Sequence, residues 1–370
     1  MATKRFFRMA AAGAMLVATA GAAAAQPQPR TLEVKADAAF RHAHTRIELP
    51  PRVDGIARSR VAELEPDQLD TIADYSAPDL SSAYTFYIYR NVAGALPVWF
   101  DRAAWMIEHR DALGTATRHG TTAAFVPPGR SEAAGLLATY DLSGKDFRST
   151  GVALVPFGEW YVKLRASSKT LPAPELEARM KAALAELRWP KSMPPAVPAA
   201  PVERCATALA VRDEAKLLDG GDKVGASTIM NAILGVAVAE NAKKKGAPAP
   251  VHIPVWCQDA AQALQAGVYR ADGATDSYLL ALSDAGRAIW AGPDPGLSIL
   301  AQIDDKAKAD KPSFLIELLL LSRTLTTRAY DRLPPPNQAL AIVKAGHFAS
   351  AAPTWGAAKG HIELSADALK

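Results

Sequence analysis

The chain has 370 residues, of which 49% are hydrophobic and 22% charged, with 42 basic and 38 acidic side chains. Three of the basic residues, Lys4, Arg5 and Arg8, lie near the N-terminus, so the rest of the chain is close to neutral. A near-neutral chain lacks the clustered cationic face that nucleic-acid binding requires, so we expect no nucleic-acid partner.

The first 25 residues have the pattern of a cleavable signal peptide. An apolar run follows the positive start, and Ala23 and Ala25 are small residues of the kind that a signal peptidase accepts before Gln26. The apolar run is too short to remain as a membrane anchor. The sequence therefore predicts a signal peptide at 1–25, no transmembrane anchor after its cleavage, and a periplasmic location, with secretion as the alternative.

A proline-rich segment divides the remaining chain. Prolines recur between Pro190 and Pro201 with almost no large apolar residue, a composition typical of an extended spacer. The chain that follows the signal peptide is, taken as a whole, too long for one ordinary hydrophobic core, which favours two domains. We predict a flexible lead, an N-terminal domain, a linker and a C-terminal domain at 26–31, 32–190, 191–203 and 204–370.

The first half is predicted to be mixed α+β. Its expected elements are a strand at 84–89, a helix at 101–110, strands at 151–157 and 160–166, and a helix at 174–188. Gly158 and Glu159 suit a two-residue hairpin turn between the two later strands. In the second arm, Tyr161, Lys163 and Arg165 alternate with apolar residues, which predicts one buried face and one solvated face.

These elements resemble a known fold family. A strand-rich body with an early helix, a hairpin whose second arm reads WYVKLRAS, and a last helix ending in LRWP are similar to the PsbP/Mog1/DcrB type of α/β sandwich. The resemblance covers about residues 32–190. The family is functionally diverse and has no defining catalytic residues, so the resemblance implies a fold and assigns no site.

The second half is predicted to be a strand-rich α+β module. Expected elements are strands at 205–211 and 251–257, a helix at 226–245, a hairpin at 277–282 and 287–290, and further sheet-extending runs at 313–321, 324–330 and 339–343. Cys205 and Cys257 are the two cysteines, and in an oxidising compartment we expect them to form a disulfide. A metal pair or a catalytic thiol is the alternative.

His42 and His44 are the candidate metal ligands. On a strand, residues at i and i+2 share one face, so both rings could reach one ion if a third ligand came from elsewhere. The alternative is a pair of polar residues on a solvated face.

Common catalytic motifs are missing from the sequence. No GxSxG elbow and no HExxH helix are present, and the P-loop-like stretch Gly220–Ser227 has Ala226 at the position of the phosphate-binding lysine. We predict no cofactor, and we interpret the basic run Lys243–Lys245 as a solvated helix end.

Aromatic residues of the first half are the candidate recognition surface, with core packing as the alternative. They are Tyr87, Tyr89, Trp99, Trp105 and Trp160. The sequence favours a non-catalytic periplasmic binding or scaffolding protein of the cell envelope, whose partner is an envelope protein or a small ligand. The alternative is a periplasmic hydrolase or metal-dependent protein whose site residues converge only in three dimensions.

Overall fold

The computed structural model describes residues 29–144, 146–211, 213–218, 227, 230–231, 253–259, 266–296, 312–357 and 361–365. The predicted signal peptide and the basic run Lys243–Lys245 lie outside the described residues. The predicted helix at 226–245 and the P-loop-like stretch also lie outside them, apart from residues 227 and 230–231. Within the described residues, no helix is long and apolar enough to cross a membrane.

Strands before the proline-rich segment form a large antiparallel sheet and a small separate ribbon. In chain order they are β1 Arg30–Thr31, β2 Phe40–Arg41, β3 Glu48–Leu49, β4 Arg52–Val53, β5 Ile56–Glu65, β6 Asp70–Ser76, β7 Ser82–Arg90, β8 Ala116–Arg118, β9 Ala123–Phe125, β10 Gly135–Leu142, β11 Ser149–Phe157 and β12 Trp160–Ser168. The ribbon pairs β2 with β3, and the first sheet has the order β1-β5-β6-β7-β12-β11-β10-β8, with β4 beside β5 and β9 beside β10.

Two helices cover opposite faces of this first sheet. Helix α1, Leu96–Glu108, and helix α2, Ala173–Glu186, confirm the two helices predicted for the first half. Helix α1 begins at Leu96 rather than at 101, and α2 at Ala173 rather than at 174; each has a proline in its first turn, where the missing N–H costs no hydrogen bond. Val152 and Leu154 of β11 face α1, whereas Ala153 and Val155 face α2.

The predicted hairpin is confirmed, but the predicted solvated face of its second arm is wrong. Phe157 pairs with Trp160 across the turn, and Gly158 has the positive φ of +62° that the turn requires. Tyr161 is buried and the Lys163 side chain is only 2% exposed. Helix α1 and a loop from the second half of the chain cover this face, so its charged residues are removed from solvent.

Strands after the proline-rich segment form a second sheet in simple chain order. They are β13 Glu203–Arg204, β14 Trp256–Gln258, β15 Ala266–Ala271, β16 Tyr278–Leu282, β17 Arg287–Pro293, β18 Phe314–Leu319, β19 Arg323–Thr326, β20 Ser350–Pro353 and β21 Glu363–Leu364. Only the β13–β14 pair is parallel among the described pairs of this sheet. The predicted hairpin near 277–290 is confirmed as β16 and β17.

Two predictions for the second half need correction. The run at 339–343 was expected to extend the sheet, but it lies in helix α3, Pro336–Ala345, which starts on a proline and ends at Gly346 with φ of +75°. The strand predicted at 205–211 is wrong, because no strand lies there and β13 ends at Arg204, just before it. Of the strand predicted at 251–257, only the last two residues lie in a strand, β14, among the described residues.

The disulfide between Cys205 and Cys257 is confirmed. It connects the residue after β13 to the middle of β14, which is the parallel pair at the sheet edge. With two sheets, three helices among the described residues and one disulfide, the chain is α+β.

A hydrophobic cluster joins the two sheets through α1. Trp99 is fully buried in this shared core, which we define as α1 and the residues packed on it. From the second sheet, the shared core includes Tyr269, Leu279, Ala281 and Ala288. The proline-rich segment packs alongside, since the Ala199 amide donates a 2.9 Å hydrogen bond to the carbonyl of Ala133.

Candidate functional site

The turn between β16 and β17 lies against the first sheet. We call residues 283–286 the hairpin loop. The Ser283 carbonyl accepts a hydrogen bond from Nε of Arg102 in α1 at 3.2 Å, and the Asp284 carbonyl accepts one from Nζ of Lys163 at 2.9 Å. A Cβ on Gly286 would lie 2.7 Å from the carbonyl oxygen of Arg90, and its φ is +80°. Glycine at 286 therefore permits this close approach of the loop to β7.

Asp284 of the hairpin loop belongs to a mostly buried ionic group. Its Oδ2 lies 2.9 Å from Nζ of Lys163 and 4.0 Å from Nη1 of Arg165. Burial alone would raise the pKa of Asp284, but the two cations outweigh it, and the pKa lies below its usual value. Nζ of Lys163 also lies 4.5 Å from the centre of the Tyr87 ring. The loop therefore carries a carboxylate that is held in its ionised form between two cations.

A second ionic contact secures the hairpin on its other side. Nη2 of Arg287 lies 3.0 Å from Oε2 of Glu65, and Nη1 lies 3.3 Å from Oδ2 of Asp70. Burial raises the pKa of Asp70, although Arg287 and Lys163 act against this. Its Oδ1 is buried without a hydrogen bond. These contacts fix the position of the hairpin loop against the first sheet.

A groove runs along the first sheet between the end of α1 and the hairpin loop. It encloses about 420 Å³, a volume suited to a small molecule. Its lining combines backbone, apolar and charged groups from four elements. The lining residues are Ala83, Thr85, Tyr87, Met106, His109, Arg110, Arg165, Ala166, Ser167 and Asp284.

Arg165 is the central charged side chain of the groove. Its side chain is 19% exposed, and its one polar contact with the described residues is the 4.0 Å approach to Asp284. Burial lowers the pKa of Arg165, and the nearby positive charge of Arg110 acts in the same direction. A guanidinium carries five N–H donors, and none of the Arg165 nitrogens is among the fully buried, unpartnered atoms of the described residues, so they are accessible from the groove. The donors of Arg165 are thus available to a molecule in the groove.

Two of the hydroxyl groups that line the groove, those of Thr85 and Ser167, are committed to structural hydrogen bonds. Oγ1 of Thr85 donates to Oδ1 of Asp74 at 2.9 Å, and Oγ of Ser167 lies 2.8 Å from Oγ1 of Thr150. Burial raises the pKa of the Tyr87 hydroxyl, which keeps it neutral. No hydroxyl of the described lining contacts a histidine, as an activated nucleophile would. The arrangement is suited to holding an anion.

The predicted recognition aromatics divide into two groups. Tyr89, Trp99 and Trp160 are buried, so they belong to the core and cannot form an exposed surface. Tyr87 and Trp105 are half-buried. Tyr87 lines the groove, and Trp105 stacks on His109 with ring centres 4.0 Å apart. Core packing, the alternative for these residues, therefore holds for Tyr89, Trp99 and Trp160, and the prediction of a recognition surface is left with Tyr87 and Trp105.

His42 and His44 lie in a turn after β2, so the expected strand face is absent. Nε2 of His42 lies 2.9 Å from the carbonyl of Gln68, and Nε2 of His44 lies 2.7 Å from that of Asp67. Because a carbonyl only accepts, both Nε2 atoms carry protons. No group of three or more potential metal ligands occurs among the residues that the structure describes. Nε2 of each ring therefore donates to a backbone carbonyl and is not available to bind a metal ion.

The two histidines instead belong to an aromatic cluster between the halves of the chain. The His44 ring stacks on Trp160 with centres 5.2 Å apart, and Trp355 packs edge-on against both. The Arg90 guanidinium lies 5.0 Å from the Trp355 ring, and its Nη1 donates to the Leu321 carbonyl at 2.7 Å. The cluster adds a second contact between the sheets, away from the groove.

Burial of His42 predicts a loss of stability in acid. Burial lowers its pKa from 6.5 to about 4, so the unfolded chain binds a proton in this range and the folded chain does not. His42 therefore stabilises the fold above pH 6.5, and this contribution falls by about 2–3 kcal/mol on acidification to about pH 4. Urea unfolding of the wild type and His42→Gln at pH 7 and 4.5 measures it. A variant with the same pH dependence as the wild type would contradict the prediction.

Sequence reasoning missed the charged residues of the groove. Arg165 was assigned to a solvated face, and Arg110 and Asp284 were not singled out. The available signal was the occurrence of Lys163 and Arg165 on one face of a strand with otherwise apolar neighbours. That pattern alone does not identify a site, because Asp284, which lies beside both cations, is far away in the chain.

Comparisons of the chain with protein-family models, with curated proteins and with solved structures find no match.

Proposed function

We propose that this chain is an exported, non-catalytic binding protein of the bacterial cell envelope, and that the groove beside the hairpin loop is its ligand site. The observation that carries the proposal is the guanidinium of Arg165, mostly buried at the groove wall without a hydrogen bond from the described residues. A guanidinium nitrogen that opens into the groove without an internal partner can donate to a bound molecule. A bound ligand thus supplies a partner for it.

The envelope location is supported by three features of the chain. The disulfide suits an oxidising compartment, the N-terminal 25 residues have a signal-peptide pattern, and no described helix could span a membrane. We also propose that residues 32–190 form a PsbP-like domain, which the order of strands and helices supports. A rigid sheet as the floor of the groove suits binding, because it keeps the lining in place without a ligand.

Native mass spectrometry tests the proposal. The chain is produced with its own N-terminal segment, isolated from the periplasm under non-reducing conditions, and equilibrated with the small-molecule fraction of a periplasmic extract. We expect a mass that begins at Gln26, the mass loss of one disulfide, and a non-covalent adduct of low mass.

Two tryptophan variants test whether the adduct binds in the groove. Ala83→Trp fills the groove, since Ala83 is half-buried in its lining, whereas Ala57→Trp places the same side chain at an exposed position of β5. We expect the adduct to disappear from Ala83→Trp and to remain on Ala57→Trp. Absence of an adduct from the wild type, or its retention by Ala83→Trp, would overturn the proposal.

A further inference from the structure

We propose that the ligand of the groove is a small organic carboxylate, bound through its carboxylate by Arg165 and Arg110, and that Asp284 of the hairpin loop competes with it for Arg165. This inference rests on the proposed function, because it names the class of molecule that the groove binds. It goes further in assigning a residue to each part of the ligand.

The donors of Arg165 point to an anion. A guanidinium binds a planar oxyanion through two parallel N–H···O bonds, which gives both strength and orientation. Arg110 is exposed at the end of α1, close enough to Arg165 to affect its pKa, and its side chain makes no hydrogen bond to described residues. Two like charges beside one groove repel each other until an anion lies between them.

Asp284 places the protein's own carboxylate beside Lys163 and Arg165. Its carboxylate bonds Nζ of Lys163 at 2.9 Å but only approaches Arg165, at 4.0 Å. The protein's own carboxylate therefore satisfies Lys163 and leaves the Arg165 donors incomplete. A ligand carboxylate closer to Arg165 would complete them, and the negative charge of Asp284 would oppose its binding.

The remaining lining indicates an apolar body attached to the carboxylate. The apolar surface of the groove comes from the Tyr87 ring, the side chain of Met106 and the methyl of Ala83. The adjacent hydroxyls of Thr85 and Ser167 already have partners, so they offer few additional contacts to a polyol or a sugar. A flat hydrocarbon group suits this surface, because it packs on the ring and the thioether.

Titration with defined probes tests the inference. Benzoate represents the proposed class, benzylamine has a similar shape with the opposite charge, and inorganic phosphate is an anion without an apolar body. Binding is followed by two-dimensional amide NMR of the full mature chain. We expect benzoate to bind at the groove, with benzylamine and phosphate at least tenfold weaker.

Variants of the charged residues give the specific readout. Arg165→Gln is expected to weaken benzoate binding at least tenfold, and Arg165→Lys by less, because lysine keeps the charge without the paired donors. Asp284→Asn is expected to strengthen binding about threefold, because it removes the competing charge. Arg188→Gln makes the same charge change at an 81% exposed position on another surface, and we expect it to bind benzoate as the wild type does.

The outcomes separate this inference from the proposed function. Unchanged benzoate binding by Arg165→Gln, with a folded amide spectrum, overturns the assignment of Arg165. Binding of phosphate through Arg165 without binding of benzoate overturns the carboxylate class. In both cases the proposed function still stands if the natural adduct is lost from Ala83→Trp. If Ala83→Trp keeps the adduct, the proposed function fails, whatever the result with benzoate.

Discussion

Replacing Lys163 with methionine is expected to lower the free energy of unfolding by about 3–4 kcal/mol, because it removes the main partner of a mostly buried carboxylate. Methionine fills a similar volume, so the effect reports the lost charge more than a cavity. Nζ of Lys163 makes two contacts with Asp284, one to Oδ2 and one to the backbone carbonyl, both at 2.9 Å. Neither contact survives the substitution.

Urea unfolding of four proteins measures this effect: the wild type, Lys163→Met, Asp284→Asn and the double variant. We expect the double variant to be more stable than Lys163→Met, because it contains no uncompensated carboxylate at position 284. A double variant as unstable as the sum of the two single changes would contradict a direct coupling between these side chains. The slope of the free energy with urea shows whether the transition remains two-state.

Removal of the disulfide is expected to cost about 4 kcal/mol. Cys205 and Cys257 are separated by 52 positions, and the chain-entropy model gives a cost of this size for closing such a loop in the unfolded state. The bond also holds the β13–β14 pair, which is short and lies at the edge of the second sheet. Its loss therefore also frees the edge of that sheet.

The double variant Cys205→Ala and Cys257→Ala tests this expectation beside the reduced wild type. Both should unfold at the same lower urea concentration, since both lack the same cross-link. An unchanged midpoint in the variant would show that the loop is constrained by other contacts. A variant far less stable than the reduced wild type would point to packing lost with the sulfur atoms.

The sequence predicted the regular elements where local pattern and packing agree. The β11–β12 hairpin followed from Gly158 and the alternation around it, and α2 followed from apolar residues at helical spacing. The run at 339–343 was misassigned because a short apolar segment fits either a strand or a helix. Pro336 and Gly346, at the two ends of α3, were the signals that decide between them.

The groove could not be predicted because its residues are brought together by contacts distant in sequence. Lys163 and Arg165 have the alternation of a solvated strand face, and only the approach of Asp284 across the fold changes their environment. The candidate aromatics Tyr89, Trp99 and Trp160 took the alternative, core packing, for a related reason. Trp99 and Tyr89 lie in a buried cluster to which Tyr269 and Leu279 of the second sheet, far away in the chain, contribute.

The shared core around α1 has a consequence for how the chain is made. Synthesis proceeds from the N-terminus, so α1 emerges on the order of ten seconds before the strands that cover its outer face. During that interval a fully formed first sheet and α1 would lack the apolar partners that the second sheet supplies, and would present to the surroundings the apolar surface that those partners cover. A nascent chain with this surface is a substrate for chaperones and for aggregation. The yield of folded protein therefore depends on the arrival of β15, β16 and β17, and a gene fragment that ends before them should give insoluble product.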